Sequence, residues 1–330
     1  MSPVEPLSQG TVSLPHRTNR FQILSLDGGG YRGIFSAAVL AAIEEDFGIN
    51  VVELFDLVVG TSTGGIIALG LGAGMSPKQI VNFYAEWGPK IFHRAVPWRR
   101  AWKAKYGHNA LRRALTEVLG DKQMQDSIVP LVVPSYDLTR DEVYIFKTPH
   151  HSRLRRDRRA SMVEVAVATA SAPTYFPGAL FDNVRLIDGG VFANNPVAIG
   201  IAEAYSMFGV KLESVRVFSL GTTQEVVHRN AQLDRGGLIQ WAFSAIEVVL
   251  RGQSLAAHGM AQHLLAKDHY LRVNPHVPNK VLAMDRVDTA ELMGQARSVS
   301  RQITHDFHQM FSGHRAEPFT PPTITTGVAP

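Results

Sequence analysis

Apolar runs and helical repeats alternate along the first two hundred residues. Phe21-Gln22-Ile23-Leu24-Ser25-Leu26 has the length and apolar content of a strand, and the stretch from Gly30 to about Phe47 reads as a helix. A strand over 54–60 and a helix over 63–74 repeat the unit, which predicts parallel strands joined by right-handed crossovers. Residues 76–120 read as largely helical, with Ser76-Pro77 giving a cap and a first-turn proline, and predict a covering region. Strands follow over 131–138 and 142–147, turned by Thr139-Arg140-Asp141, and then a helix over 161–170. Val184-Arg185-Leu186-Ile187-Asp188 is a short strand, Asn194-Asn195-Pro196 starts a helix to about Phe208, and 214–220 is a further strand.

From Gly236 to Ala266, the residues Leu238, Trp241, Ala242, Ile246, Val249 and Leu250 recur at helical spacing. That pattern predicts a helix packed on the core, with a membrane or dimer surface as the alternative. A last helix is expected over 288–311. Residues 1–19 carry three prolines and no periodicity, so a mobile arm is expected there. Disorder is expected for the tail over 313–330, which leaves one large α/β domain over 20–312 with C-terminal helices over about 236–311.

Three glycine-bearing turns carry the candidate chemistry. Gly60-Thr61-Ser62-Thr63-Gly64 ends the second strand and opens a helix, which is the pattern of a nucleophile elbow. Gly60 and Gly64 remove the Cβ atoms that would clash in so sharp a turn. Asp27-Gly28-Gly29-Gly30-Tyr31-Arg32-Gly33 ends the first strand, where successive glycine amides and a helix start can converge on an anion. In acyl transfer the anion is the oxygen of a tetrahedral intermediate, and one lost donor costs roughly 10²- to 10³-fold in rate. Asp188-Gly189-Gly190 leaves an accessible acid, a candidate base, at the end of the short strand over 184–188.

The first turn also satisfies Gly-x-Gly-x-x-Gly, the dinucleotide-binding pattern. That pattern wants an acid at the far end of the second strand, whereas Glu53 precedes the strand and the serine elbow occupies its end. A dinucleotide cofactor is therefore disfavoured.

These motifs, together with Ala168-Thr169-Ala170-Ser171-Ala172-Pro173-Thr174-Tyr175-Phe176-Pro177 and in this order, resemble the patatin-like phospholipase family from about Phe21 to about Leu220. The resemblance implies a three-layer α/β fold with a mostly parallel central sheet and helices on both faces. It further implies a Ser62–Asp188 dyad in which Asp188 takes the serine proton, with Gly28, Gly29, Gly30 and Arg32 around the oxyanion hole. Neither metal nor cofactor is required, and the implied substrate is a glycerophospholipid at a membrane surface. Ile23 to Gly65, with Leu71 to Phe92, further resembles the effector phospholipases of bacterial antiphage systems that a cyclic dinucleotide switches on. Such an enzyme would be quiet alone and would attack the inner membrane when activated. Two alternatives stand beside this reading. One is a Ser-His-Asp esterase using His228, His258, His263 or His269; the other is a non-catalytic lipid- or nucleotide-binding module. Homo-oligomer formation is left open.

Composition narrows the setting. Without cysteine the chain has no disulfide, no thiolate nucleophile and no cysteine metal site. No apolar run reaches the 18 or so residues that span a bilayer, and the N-terminus lacks a secretory pattern, so cytoplasmic residence with peripheral membrane contact is expected. Thirty-three Lys and Arg against 29 Asp and Glu give a net charge of +4, too mild to argue for nucleic acid. Basic clusters lie at Arg94, Arg99, Arg100, Lys103 and Lys105, interleaved with Trp98, Trp102 and Tyr106, and at Arg153, Arg155, Arg156, Arg158 and Arg159. They read as solvated faces, or as contacts for anionic headgroups or a phosphorylated activator.

Overall fold

Among the described residues, eight strands make one mixed sheet with a parallel centre. The computed structural model describes residues 20–92, 104–225, 234, 236–237, 241, 244–277, 282–283 and 286–322. The strands are β1 (Phe21–Leu26), β2 (Leu57–Gly60), β3 (Leu131–Asp137), β4 (Glu142–Lys147), β5 (Ala179–Phe181), β6 (Val184–Asp188) and β7 (Val215–Leu220). Beyond a short β8 (Gln224–Glu225), β9 (Tyr270–Val273) completes the order β5-β6-β3-β2-β1-β7-β9, with β4 also paired to β3. Pairs β1–β2, β1–β7, β2–β3 and β7–β9 are parallel, whereas β3–β4, β3–β6 and β5–β6 are antiparallel.

Helices cover both faces. The helices are α1 (Gly33–Phe47), α2 (Thr63–Gly72), α3 (Pro77–Ile91), α4 (His108–Leu119), α5 (Met162–Thr169), α6 (Gly190–Ala193), α7 (Val197–Phe208), α8 (Ser244–Leu264) and α9 (Thr289–Phe311). Alternation along the strands feeds two cores. Leu24, Leu26, Val58 and Phe218 pack with α1 to α5 and α9, while Ile23, Leu57, Val59 and Val217 pack with α7 and α8. All six residues of β1 are buried, as a central parallel strand with helices on both sides requires. The covering region begins with the Ser76 and Gln79 capping box on α3.

Several expectations are corrected. Gly30–Arg32 forms a 3-10 turn and α1 begins only at Gly33. The second strand starts at Leu57, because Val51–Leu54 is a 3-10 turn whose Asn50 side chain accepts from Val52 N. The tail is not free from residue 313 onward. His314 is buried with its Nε2 2.8 Å from Asp56 Oδ2, and Ala316 N donates to Glu53 O at 2.7 Å. An imidazole paired with a buried carboxylate anchors this stretch to the domain.

Helix α8 packs through Ala257 and Ala261, followed by Leu265, whereas Val249, expected in the core, is 59% exposed. The side chains of Leu238, Ala242 and Ile246 lie outside the described residues, as do residues 1–19 and 323–330. So do Arg94, Trp98, Arg99, Arg100, Trp102 and Lys103 of the first basic cluster. In the second, Arg156 sits over the Tyr144 ring at 4.0 Å and Arg158 Nε donates to Gln125 Oε1 at 2.6 Å, so part of that cluster is structural. Among the described residues, no helix is long and apolar enough to cross a membrane.

Candidate active site

Ser62 sits between β2 and α2 with φ 56° and ψ −120°, a conformation that costs an L-residue about 1–3 kcal/mol. Its surroundings hold it there. Ser62 N donates to Thr169 Oγ1 at 3.0 Å, Thr61 N donates to Leu26 O at 3.1 Å, and Thr61 Oγ1 donates to Ala193 O at 2.7 Å. A Cβ on Gly60 would meet the Gly64 carbonyl, and one on Gly64 would meet the Leu26 and Asp27 carbonyls. The elbow closes only because both are glycine. Helix α2 begins at Thr63, which brings its positive end beside the serine.

Asp188, 5% exposed, ends β6. Its N–H donates to Ser171 O at 3.0 Å, and its Oδ1 accepts from Gly190 N at 2.7 Å. The Ser62 side chain is its other hydrogen-bond partner. Burial pushes the carboxyl up to about 6, against the opposing pull of the Ser62 and Gly190 hydrogen bonds. A carboxylate so shifted holds a proton far better than an exposed aspartate of pKa about 3.9.

The glycine loop differs in one respect from expectation. Gly28 N donates to Asn194 O at 2.9 Å, so that amide is taken by the backbone after α6. Gly28 contributes space instead, since a Cβ there would strike Asn194 Oδ1 and come within 3.2 Å of Ser62 Cβ. Among the described residues, the Gly29 and Gly30 amides meet no protein acceptor. Arg32 braces the loop through Nε to Gly29 O at 3.2 Å. Gly30 adopts φ 63°, which glycine alone enters freely, and borders the pocket beside Ser62.

Sequence reasoning missed the supports of this loop. Asp27 is buried against Arg272 of β9, which reaches it through Nη1 at 2.7 Å and again through Nη2. Burial raises the Asp27 carboxyl, and the Arg272 charge opposes that rise. Thr222 Oγ1 holds Gly28 O at 3.1 Å. Arg272 and Thr222 lie some 200 residues beyond the loop, with no motif around them to signal the link.

An apolar pocket opens at the serine, lined among others by Ile66, Phe83, Ile91, Leu111, Tyr175 and Phe176. Of the histidines weighed for a triad, His258 is bonded to the Tyr270 hydroxyl at 2.9 Å, and His228 lies outside the described residues. The hydrogen bonds at Asp188 come from Ser62 and Gly190, with no histidine from the described residues among its perturbing groups.

The sheet edge thus presents a hydrolase-type site on an α/β scaffold, with a strained serine, a basic carboxylate and an apolar pocket. The chain belongs to the patatin-like phospholipase family, whose sequence model matches residues 24–201. It is 33% identical over 311 residues to the cGAMP-activated phospholipase of Pseudomonas aeruginosa, covering 90% of this chain and 93% of that one. The cGAMP-activated phospholipase of Vibrio cholerae is 34% identical over 235 residues, covering 64% of this chain and 66% of that protein. Patatin-like protein 4 of Arabidopsis thaliana is 29% identical over 329 residues, with 84% and 82% covered.

Proposed function

We propose that this protein is a serine acyl hydrolase that releases fatty acids from membrane glycerophospholipids through Ser62 and Asp188. The observation that carries the reading is the buried Asp188 carboxyl, raised to about 6 and hydrogen-bonded to a serine held at a strained elbow. As Ser62 Oγ attacks the ester carbonyl, its proton passes to Asp188. The Gly29 and Gly30 amides, with the start of α2, stabilise the oxyanion. Collapse breaks the ester C–O bond, and the lysolipid alcohol leaves with the proton from Asp188. Water, deprotonated by the same carboxylate, then frees the fatty acid from Ser62. The pocket accommodates the acyl chain, and the headgroup remains at the membrane surface where the protein binds peripherally.

Activation by a cyclic dinucleotide belongs to the same proposal, and by it to a role in antiphage defence. Its support is the similarity to relatives named as cGAMP-activated phospholipases over 90% of this chain in one case. Labelled phospholipid vesicles incubated with the protein, with and without cGAMP, test both parts. Fatty acid release that requires cGAMP and disappears in Ser62→Ala is the expected result. Release that persists unchanged in Ser62→Ala overturns the nucleophile, and equal release without cGAMP overturns the activation.

A further inference from the structure

His108 opens α4, and its ring reaches from the covering helices to residues 170–177. Its Nε2 lies 3.0 Å from Ser171 Oγ. It stacks on Phe176 with centroids 5.9 Å apart and planes 13° from parallel. Ser171 Oγ gives its single hydrogen to Val167 O, 2.7 Å away, so His108 Nε2 carries the proton and donates to Ser171 Oγ. Burial and the Arg112 charge one turn along α4 hold the His108 pKa below its ordinary value, which favours this neutral form. Arg112 is itself paired with Glu164 of α5. Two backbone bonds run alongside, Lys105 N to Thr174 O at 2.9 Å and Tyr106 N to Tyr175 O at 2.7 Å.

The clamped segment serves the site twice. Ser171 O accepts the Asp188 N–H, so the segment carries the backbone of the carboxylate. Ala170, Ala172, Tyr175 and Phe176 also form one wall of the pocket, and Leu111, from the next turn of α4, faces it. Among the described residues no strand ladder holds residues 170–177, so isolated backbone bonds and the His108–Ser171 contact fix them. Ser171 Oγ, 2.7 Å from Val167 O as well, is the knot between α4 and α5.

We propose that His108 is a positioning residue that couples the covering helices to catalysis. By tying α4 to Ser171 and stacking on Phe176, it fixes the backbone bearing Asp188 and the acyl-pocket wall as one unit. The inference rests on Ser62 and Asp188 being the reacting pair.

The test compares wild type, His108→Ala, His108→Gln, Ser171→Ala and the double variant on p-nitrophenyl esters of four- and ten-carbon acids in the presence of cGAMP. Deuterium exchange of the peptide carrying Asp188 provides a readout independent of turnover. His108→Ala is expected to lower kcat roughly tenfold, since misplacement by about 1 Å costs up to 10²-fold. KM for the short ester should stay near wild type, while the preference for the long ester disappears. His108→Gln, which keeps a donor near Ser171, should recover part of both, and the double variant should be no worse than either single one. Exchange at Asp188 should quicken while α2 stays protected. A folded His108→Ala protein with wild-type chain-length preference and wild-type exchange at Asp188 overturns the inference, as do fully additive single effects. Wild type that hydrolyses neither ester and leaves Ser62 unlabelled by a fluorophosphonate defeats the functional reading, and this inference with it.

Discussion

Ser62 and Asp188 stand at one level of the sheet because β3 is paired with the strands of both. In the parallel β2–β3 ladder Val59 lies opposite Val132, and Ser62 and Ser135 each follow three residues on. In the antiparallel β3–β6 ladder Ser135 lies opposite Asp188. Strands running in opposite directions thus deliver hydroxyl and carboxyl to the same place, and β3, which outruns β2, is the ruler.

That register predicts how the pair responds to replacement. Ser62→Ala should abolish ester hydrolysis in a folded protein. Ser62→Gly should abolish it too, yet raise stability by about 1 kcal/mol, because glycine relieves the strain at φ 56°. Thermal unfolding of the two variants side by side checks the difference.

On the proposed mechanism, Asp188 ties activity to pH. Its folded pKa is raised from 3.8 to about 6, and only the ionised form accepts the serine proton, so kcat/KM should rise with pH through about 6 and then level off. For stability the sign is reversed. A raised carboxyl favours the protonated fold, so stability is greatest below pH 3.8 on this account and is lost between there and about 6. Asp188→Asn should therefore be inactive at pH 7 and more stable by up to about 3 kcal/mol. An unchanged or lower melting temperature would contradict the buried-carboxylate account.

Gly28→Ala tests the space over the serine. The new methyl meets Asn194 Oδ1 and approaches Ser62 Cβ, so the loop must shift while the fold survives. A loss of about 10²-fold in kcat is expected, with circular dichroism near wild type. Full activity would show that the loop gives way without cost.

Arg272→Met should destabilise by about 3–5 kcal/mol, because Asp27 is left buried without its partner. Combining it with Asp27→Asn should recover much of that loss. Denaturant unfolding of the single and double variants measures the coupling.

The chain itself determined the elements and the chemical candidates. Period-two and period-3.6 patterns mark most strands and helices, and glycine spacing marks the elbow, since only glycine tolerates backbone atoms that close. Folding decided what those candidates do. Whether Gly28 offers an amide or only room depended on Asn194, 166 residues away, and the basicity of Asp188 depended on a desolvation that no local pattern records. Likewise the anchoring of His314 came from Asp56, and the support of the glycine loop came from Arg272. Local conformation follows neighbours in the chain, whereas burial and charge pairing follow neighbours in space, and only the tertiary structure supplies the latter.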